Sequence, residues 1–149
     1  MRMSFTSTPN EFVELSVESR KFGETNDCAV KAVALVCNVP YATAHATLKA
    51  LGRKDRKGTW SNQYMTAVKQ LGKTMVRVNE RDLIAKYPSP HNNLRSVTSH
   101  HPRRFAKAWD KNKVYFMITS RHAFAVVNGE TKDWSINKSL RVRWIYEVI

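Results

Sequence analysis

The fold of this chain is decided by the apolar run NDCAVKAVALVC at positions 26–37. All but one of residues 28–37 are apolar, a pattern typical of a helix that is buried in the middle of a domain. Asn26 or Asp27 can cap the first turn, and Pro40 stops the helix soon after its last apolar residue. The run therefore predicts a central helix that begins with a cysteine.

The segments on either side predict an α+β fold, with helices first and an antiparallel sheet last. Partial alternation predicts a strand over residues 12–17, and glycine-terminated patterns predict helices over 41–51 and 60–71. A proline-rich surface loop is expected over 86–97 and a short basic helix over 99–109. Further strands are predicted over 74–78, 114–119, 122–127, 131–136 and 142–148.

Length and composition favour one globular domain over residues 1–149, with residues 1–10 loosely held. Apolar residues make up 42% of the chain, but no run approaches the roughly 18 needed to span a membrane. The N-terminal residues lack the apolar core of a signal peptide. We therefore expect no membrane association, a cytoplasmic location (a host cytoplasm if a phage encodes the chain) and reduced cysteines.

The charge of the chain points to an acidic partner. Lysine and arginine total 25 against 12 acidic residues, a net charge of +13. The partner could be nucleic acid, an anionic protein face or an acidic peptide substrate, and a merely solvated basic surface remains an alternative. The densest basic clusters contain Arg53 and Lys54, and Arg103 and Arg104.

Cys28 is the candidate nucleophile. Unpaired backbone N–H groups and the helix dipole favour a thiolate in the first turn of a helix, so the pKa of Cys28 should be lowered. The Asp27 carboxylate would oppose this effect if it pointed at the sulfur. Cys37 lies deep in the same apolar helix and is expected to be an inert core residue.

His122 and Asp133 are the candidate base and its orienting group. Asn128-Gly129 is the preferred two-residue hairpin loop. With that loop, alternation puts His122, Asp133 and Ser135 on one face of the sheet, with Asp133 diagonal to His122. Asn128 and Asn137 remain alternatives for the orienting role.

A thiol hydrolase also needs donors for the oxyanion of its tetrahedral intermediate. The backbone N–H of Cys28 is one candidate. The side-chain amide of Asn26 is the second, although a role as helix cap or loop residue explains Asn26 equally well.

No cofactor or metal is expected. The chain lacks the spacings of zinc sites and of phosphate-binding glycine loops. Loop positions explain His91, His100 and His101, and His45 falls within a predicted helix. The four tryptophans are interpreted as core or cleft-lining residues rather than a base-stacking platform.

Taken together, these motifs resemble a known family. The front half carries NDCAVKAVA (26–34), VPYATAH (39–45), ALGRK (50–54) and KGT (57–59). The back half carries RRF (103–105), VYFMI (114–118), HAFAVVNG (122–129) and DW (133–134). Over residues 24–135 the chain resembles small papain-like (C39-like) cysteine peptidase-fold proteins of bacterial and tailed-phage genomes.

The resemblance implies a papain-like fold with Cys28 as nucleophile, His122 as base and Asp133 as its orienting group. The implied reaction is cleavage of a peptide or isopeptide bond through an acyl-enzyme, without a cofactor. Many papain-like enzymes carry an oxyanion glutamine six residues before the cysteine, where this chain has Phe22. A deamidase on the same scaffold, or a basic phage-type protein that binds a host protein or nucleic acid without catalysis, are the alternatives.

Overall fold

A computed structural model describes residues 8–78, 99–100, 110–137 and 140–149 of the chain. Within these residues, helices come first and strands last, so the predicted α+β class is confirmed. The helices are α1 (Asn10–Lys21), α2 (Cys28–Cys37), α3 (Tyr41–Ala50) and α4 (Ser61–Gln70). The strands are β1 (Met75–Arg77), β2 (Ser99–His100), β3 (Val114–Ile118), β4 (Ala123–Val127), β5 (Glu130–Lys132), β6 (Leu140–Arg141) and β7 (Trp144–Val148), and a short 3-10 helix (Trp134–Asn137) lies between β5 and β6.

The main sheet is antiparallel, with its strands in the order β1-β7-β3-β4-β5. β2 pairs with β6 in a separate two-stranded ladder. The β3–β4 pair forms the centre of the main sheet. β4 carries four consecutive buried residues, so both of its faces are covered; Ala123 and Ala125 belong to the core that it shares with the helices.

Helix α2 lies at the centre of the molecule and contacts α1, α3, α4, β3 and β4. Seven of its ten residues are buried, and Val30 and Val33 are completely inaccessible to solvent. This position follows from an apolar surface on all sides, which only burial between several elements can remove from water. Because α2 packs directly on β4, its first residue faces the end of the sheet where β4 begins.

The strand predicted over residues 12–17 is wrong, because this segment lies within helix α1. Phe12 and Ser19 are buried and Leu15 packs on the core, a spacing of three to four residues that fits one face of a helix. Glu11 in the first turn and Lys21 in the last turn also suit the helix dipole. The predicted looseness of residues 1–10 falls on residues 1–7 outside the described part, and α1 already begins at Asn10.

Two predictions in the second half are also corrected. Ser99 and His100 pair with β6 as a strand rather than starting a helix, and residues 101–109 lie outside the described part. The strand predicted over 131–136 ends at Lys132, and a 3-10 helix follows. The loop predicted over 86–97 lies outside the described part as well.

The predicted β4–β5 hairpin is confirmed. Val127 pairs with Glu130 across the two-residue loop, and Val126 pairs with Thr131. Asn128 and Gly129 both have positive φ, 55° and 76°, as a type I′ turn requires. In the described residues, no helix has the length and apolar character needed to cross a membrane.

Candidate active site

Cys28 is the first residue of α2, at the point where the backbone N–H groups have no partner within the helix. The carboxylate of Asp27 is occupied elsewhere. Its Oδ2 atom accepts hydrogen bonds from Ser19 Oγ at 2.5 Å and from the Tyr41 hydroxyl at 2.7 Å. Lys31 Nζ lies 3.6 Å from the other carboxylate oxygen. The repulsion that Asp27 could exert on a Cys28 thiolate is therefore offset.

His122 is held in the tight turn that joins β3 to β4. The backbone N–H of His122 donates to Thr119 Oγ1 at 2.9 Å, and the N–H of Thr119 donates to the His122 carbonyl at 2.8 Å. Both bonds fix the backbone just before Ala123, where β4 begins. The ring of His122 consequently projects from the end of the sheet that faces α2.

Asp133 contacts His122 as the hairpin geometry predicts. Its Oδ2 atom lies 2.6 Å from His122 Nε2. Ser135 donates two hydrogen bonds to the same oxygen, from its hydroxyl at 2.5 Å and from its backbone N–H at 3.3 Å. Asp133 and Ser135 are both buried, so the carboxylate is held in one orientation away from water.

The thiol of Cys28 completes the cluster. It lies close enough to the His122 imidazole and to the backbone N–H groups of Ala123 and Ala29 for these groups to lower its pKa. Since Nε2 of His122 is bonded to Asp133, the ring nitrogen that remains for Cys28 is Nδ1. The imidazole thus stands between the thiol and the carboxylate.

This arrangement favours the charged forms of both Cys28 and His122. Burial alone would raise the pKa of Cys28, but the hydrogen bonds from His122 and from Ala123 outweigh it and lower that pKa. Burial opposes the charge on His122 too, yet the bonds to Asp133 and Cys28 raise its pKa to about 9. Both shifts favour a thiolate beside an imidazolium, the reactive form of a cysteine nucleophile.

Cys37 provides the contrast. It lies at the other end of α2, where burial raises the pKa of its thiol to about 11. Both cysteines are free, as expected for residues nine positions apart on one helix. The prediction that Cys37 lies in the core is confirmed, and its inertness stays a prediction.

Aromatic rings enclose the imidazole of His122. Its centroid lies 5.3 Å from the Trp134 ring and 5.7 Å from the Phe124 ring, with the latter stacked at 20°. Phe124 is buried, whereas Trp134 is 47% exposed. Trp134 thus forms one wall beside the reacting groups that a substrate can contact.

Asn26 lies two residues before the thiol, with a left-handed φ of 52°. Its side-chain Nδ2 donates to the carbonyl of Arg56 at 3.3 Å. The amide therefore ties the segment before Cys28 to the loop between α3 and α4. One amide hydrogen is left for other partners, and a role in binding an oxyanion stays a prediction.

A second polar cluster anchors the same segment. The buried carboxylate of Glu24 accepts hydrogen bonds from both terminal nitrogens of Arg53, at 2.7 and 3.2 Å, and from the backbone N–H of Arg56 at 2.6 Å. His45 Nε2 lies 2.6 Å from Glu24. Burial would raise the pKa of Glu24, but the hydrogen bonds from Arg53, Arg56 and His45 lower it to about 2.

This cluster corrects the assignment of Arg53 to an exposed basic surface. Arg53 is only 3% exposed, and its charge is neutralised by Glu24. Lys54 remains exposed, while Arg103 and Arg104 lie outside the described part. Carboxylate and imidazole groups of Glu24, His45 and Asp55 meet closely enough to hold a metal ion. The guanidinium of Arg53 already occupies both oxygens of Glu24, so these residues do not fit a cation site.

Sequence reasoning placed Ser135 on the same face as His122 and Asp133 but gave it no role. The structure makes it the second partner of the Asp133 carboxylate. Thr119 and Glu24 were missed as positioning residues. A threonine three residues before His122 is a signal for a side-chain-supported turn, whereas the burial of Glu24 has no signal in the local sequence.

Comparison of the chain with protein-family models, with curated proteins and with solved structures found no match in any of the three.

Proposed function

We propose that this protein is a papain-like thiol hydrolase that cleaves a peptide or isopeptide bond through an acyl-enzyme on Cys28. One observation carries the proposal: His122 Nε2 lies 2.6 Å from the buried carboxylate of Asp133, and the same imidazole is close enough to the Cys28 thiol to lower its pKa. A nucleophile, a base and an orienting group therefore lie side by side, as acyl transfer by a thiol requires.

The proposed reaction begins with attack of the Cys28 thiolate on the carbonyl carbon of the substrate. The backbone N–H of Cys28 and the side chain of Asn26 are the proposed donors to the oxyanion. As the tetrahedral intermediate collapses, the His122 imidazolium gives its proton to the leaving amine. Neutral His122 then removes a proton from the water that attacks the thioester. Collapse of the second tetrahedral intermediate releases the acid and restores the Cys28 thiolate beside the His122 imidazolium.

Asp133 acts on this cycle through His122. Its bond to Nε2 keeps Nδ1 turned toward Cys28 and stabilises the imidazolium that gives its proton to the leaving amine and forms again when water is deprotonated. Ser135 supports this function by holding the carboxylate oxygen. Because the thiol must stay reduced, a reducing compartment such as the cytoplasm suits this chemistry.

The net charge of +13 favours an acidic protein or peptide as substrate, since opposite charge raises the rate of encounter. No cofactor takes part in the proposed steps.

Alkylation tests the reactive pair. Wild type and His122→Ala are treated with iodoacetamide from pH 5 to 9, and labelling of Cys28 and Cys37 is followed by mass spectrometry. We expect rapid labelling of Cys28 below pH 7 that slows at least about tenfold in His122→Ala, since the thiolate is the reacting species. Cys37 is the internal control, with slow labelling in both proteins. Equal labelling of Cys28 in the two proteins contradicts the proposal.

Substrate turnover tests the reaction itself. The protein is incubated with acidic peptide and isopeptide libraries, and Cys28→Ala is the matched control. Cleaved products together with an acyl adduct on Cys28 support a hydrolase. A gain of one dalton in the substrate without cleavage indicates a deamidase instead. A biological effect that survives in Cys28→Ala indicates the non-catalytic binding protein.

A further inference from the structure

A pocket lies at the loop that joins α3 to α4. It has a volume of about 530 Å³, within the usual range of small-ligand sites. The loop over residues 52–59 forms most of its wall, and Trp60 and Gln63 at the start of α4 complete it. None of these residues has a place in the proposed hydrolysis.

The wall of this pocket combines positive charge with an open aromatic face. Lys54 and Lys57 are exposed, and neither has an ion-pair partner within the described part of the chain. The nearby carboxylate of Asp55 is engaged by Lys49 and His45, each at 3.5 Å. The Trp60 side chain is 75% exposed, the highest fraction among the large exposed apolar residues described. An exposed indole of this kind offers a flat face on which a base can stack.

The pocket is held in shape before any ligand arrives. Glu24 fixes the side chain of Arg53 and the backbone of Arg56, and Asn26 binds the Arg56 carbonyl. At the other end, Gln63 Oε1 accepts a hydrogen bond from the backbone N–H of Trp60 at 2.9 Å. A preorganised wall loses little entropy on binding, as expected for a recognition site.

Two polar groups in the wall are also unused. Arg53 Nε and Thr59 Oγ1 are buried and have no hydrogen-bond partner in the described residues. Both belong to residues that line the pocket. If the Thr59 hydroxyl turns toward the pocket, it can donate a hydrogen bond to a bound ligand, for example to a phosphate oxygen.

We propose that this pocket binds a nucleotide, with the base stacked on Trp60 and the phosphate held by Lys54 and Lys57. An acidic peptide would satisfy the lysines but would leave the indole face without a flat partner. The nucleotide can belong to a single-stranded nucleic acid or be a free mononucleotide, and the two share the same recognition chemistry. The proposal is independent of the reaction proposed for Cys28.

Fluorescence anisotropy with a fluorescein-labelled oligothymidylate of eight nucleotides tests this proposal on the full chain. We expect Trp60→Ala to weaken binding by roughly 5- to 150-fold, the usual range for stacking of one base. Trp60→Phe should retain part of the affinity. Lys54→Ala/Lys57→Ala should reduce the magnitude of the slope of log K against log salt by about 0.7, since the two lysines hold one phosphate and each neutralised single-strand phosphate contributes about 0.7.

The matched control is Lys69→Ala/Lys111→Ala, which removes the same charge from two exposed positions outside the pocket. Thymidine monophosphate and an octaglutamate peptide serve as competitors. Displacement by the monophosphate at comparable concentration supports the site and identifies a free nucleotide as its ligand. If octaglutamate displaces the oligothymidylate and Trp60→Ala binds the oligothymidylate as tightly as wild type does, the proposal is overturned in favour of an acidic peptide. Equal losses in the pocket variant and the control variant also overturn it.

Discussion

The protonation of His122 offers a quantitative test of the site. Its pKa of about 9, against an ordinary 6.5, corresponds to roughly 3 kcal/mol of preference for the imidazolium. At pH 7.5 most of the rings should therefore carry a proton, whereas a pKa of 6.5 would leave most of them neutral. The largest contribution that raises this pKa is the hydrogen bond to Asp133.

Asp133→Asn removes the negative charge with little change in shape. We expect the pKa of His122 to fall by at least about one unit, because burial still opposes the imidazolium while the carboxylate is gone. Labelling of Cys28 at pH 6.5 should slow as well, since the thiolate loses its positively charged partner.

The assay is an NMR titration of protein labelled with ¹³C-histidine, with the His122 resonance assigned by its absence in His122→Ala. Asp110→Asn is the control, since Asp110 accepts a local hydrogen bond from the Asn112 backbone in the turn before β3. A His122 pKa that stays near 9 in Asp133→Asn would refute the electrostatic account of the site.

Three further predictions concern residues around the site. Glu24→Gln should lower the free energy of unfolding by about 3–5 kcal/mol, because its guanidinium partner stays buried without a counter-charge. Glu18→Gln, which breaks only the exposed pair with Lys21, should cost at most about 1 kcal/mol in the same urea titration. The pKa of Glu24 is lowered to about 2, so the ionised carboxylate stabilises the fold fully above about pH 4.5 and this stabilisation is lost as the pH falls through 2. If the difference in the free energy of unfolding between wild type and Glu24→Gln does not shrink in acid, this account is contradicted. Ser135→Ala should lower kcat more than it raises KM, and Ser135→Thr should restore wild-type activity. An unchanged kcat in Ser135→Ala would show that the hydrogen bond from Ser135 to Asp133 has no positioning role. If the Asn26 amide binds the oxyanion, Asn26→Ala should lower kcat by a factor of about 10²–10³. A loss of thermal stability without a kinetic defect would show that Asn26 only holds the loop at Arg56.

Local sequence was sufficient to predict the parts of the fold that depend on short-range physics. The apolar run at 28–37 predicted α2 with both ends correct, because a helix that is apolar on almost all sides has few alternatives to burial. The Asn128-Gly129 turn predicted the register of β4 and β5, since only residues that accept positive φ form this loop. That register brings Asp133 near His122.

The alternation and periodicity of apolar residues did not suffice to predict secondary structure where tertiary contacts determine it. The segment at 12–17 fits a strand or a helix, and contact of Phe12 and Leu15 with the core selects the helix. β5 ends at Lys132 rather than continuing to 136, and the 3-10 helix that follows brings Ser135 onto Asp133. Neither the helix at 12–17 nor the end of β5 at Lys132 is indicated by the neighbouring residues in the sequence.

The sequence by itself determined that a cysteine starts a buried helix and that a histidine and an aspartate share one face of a hairpin, because helix burial and turn chemistry are local properties. The tertiary structure alone decided that Cys28 meets His122 across more than ninety residues, that Asp27 turns toward Ser19 and Tyr41, and that Arg53 is buried against Glu24. These contacts depend on how α2 packs against β4 and how α3 packs beside it, and on the electrostatic cost of burying each charge without a partner.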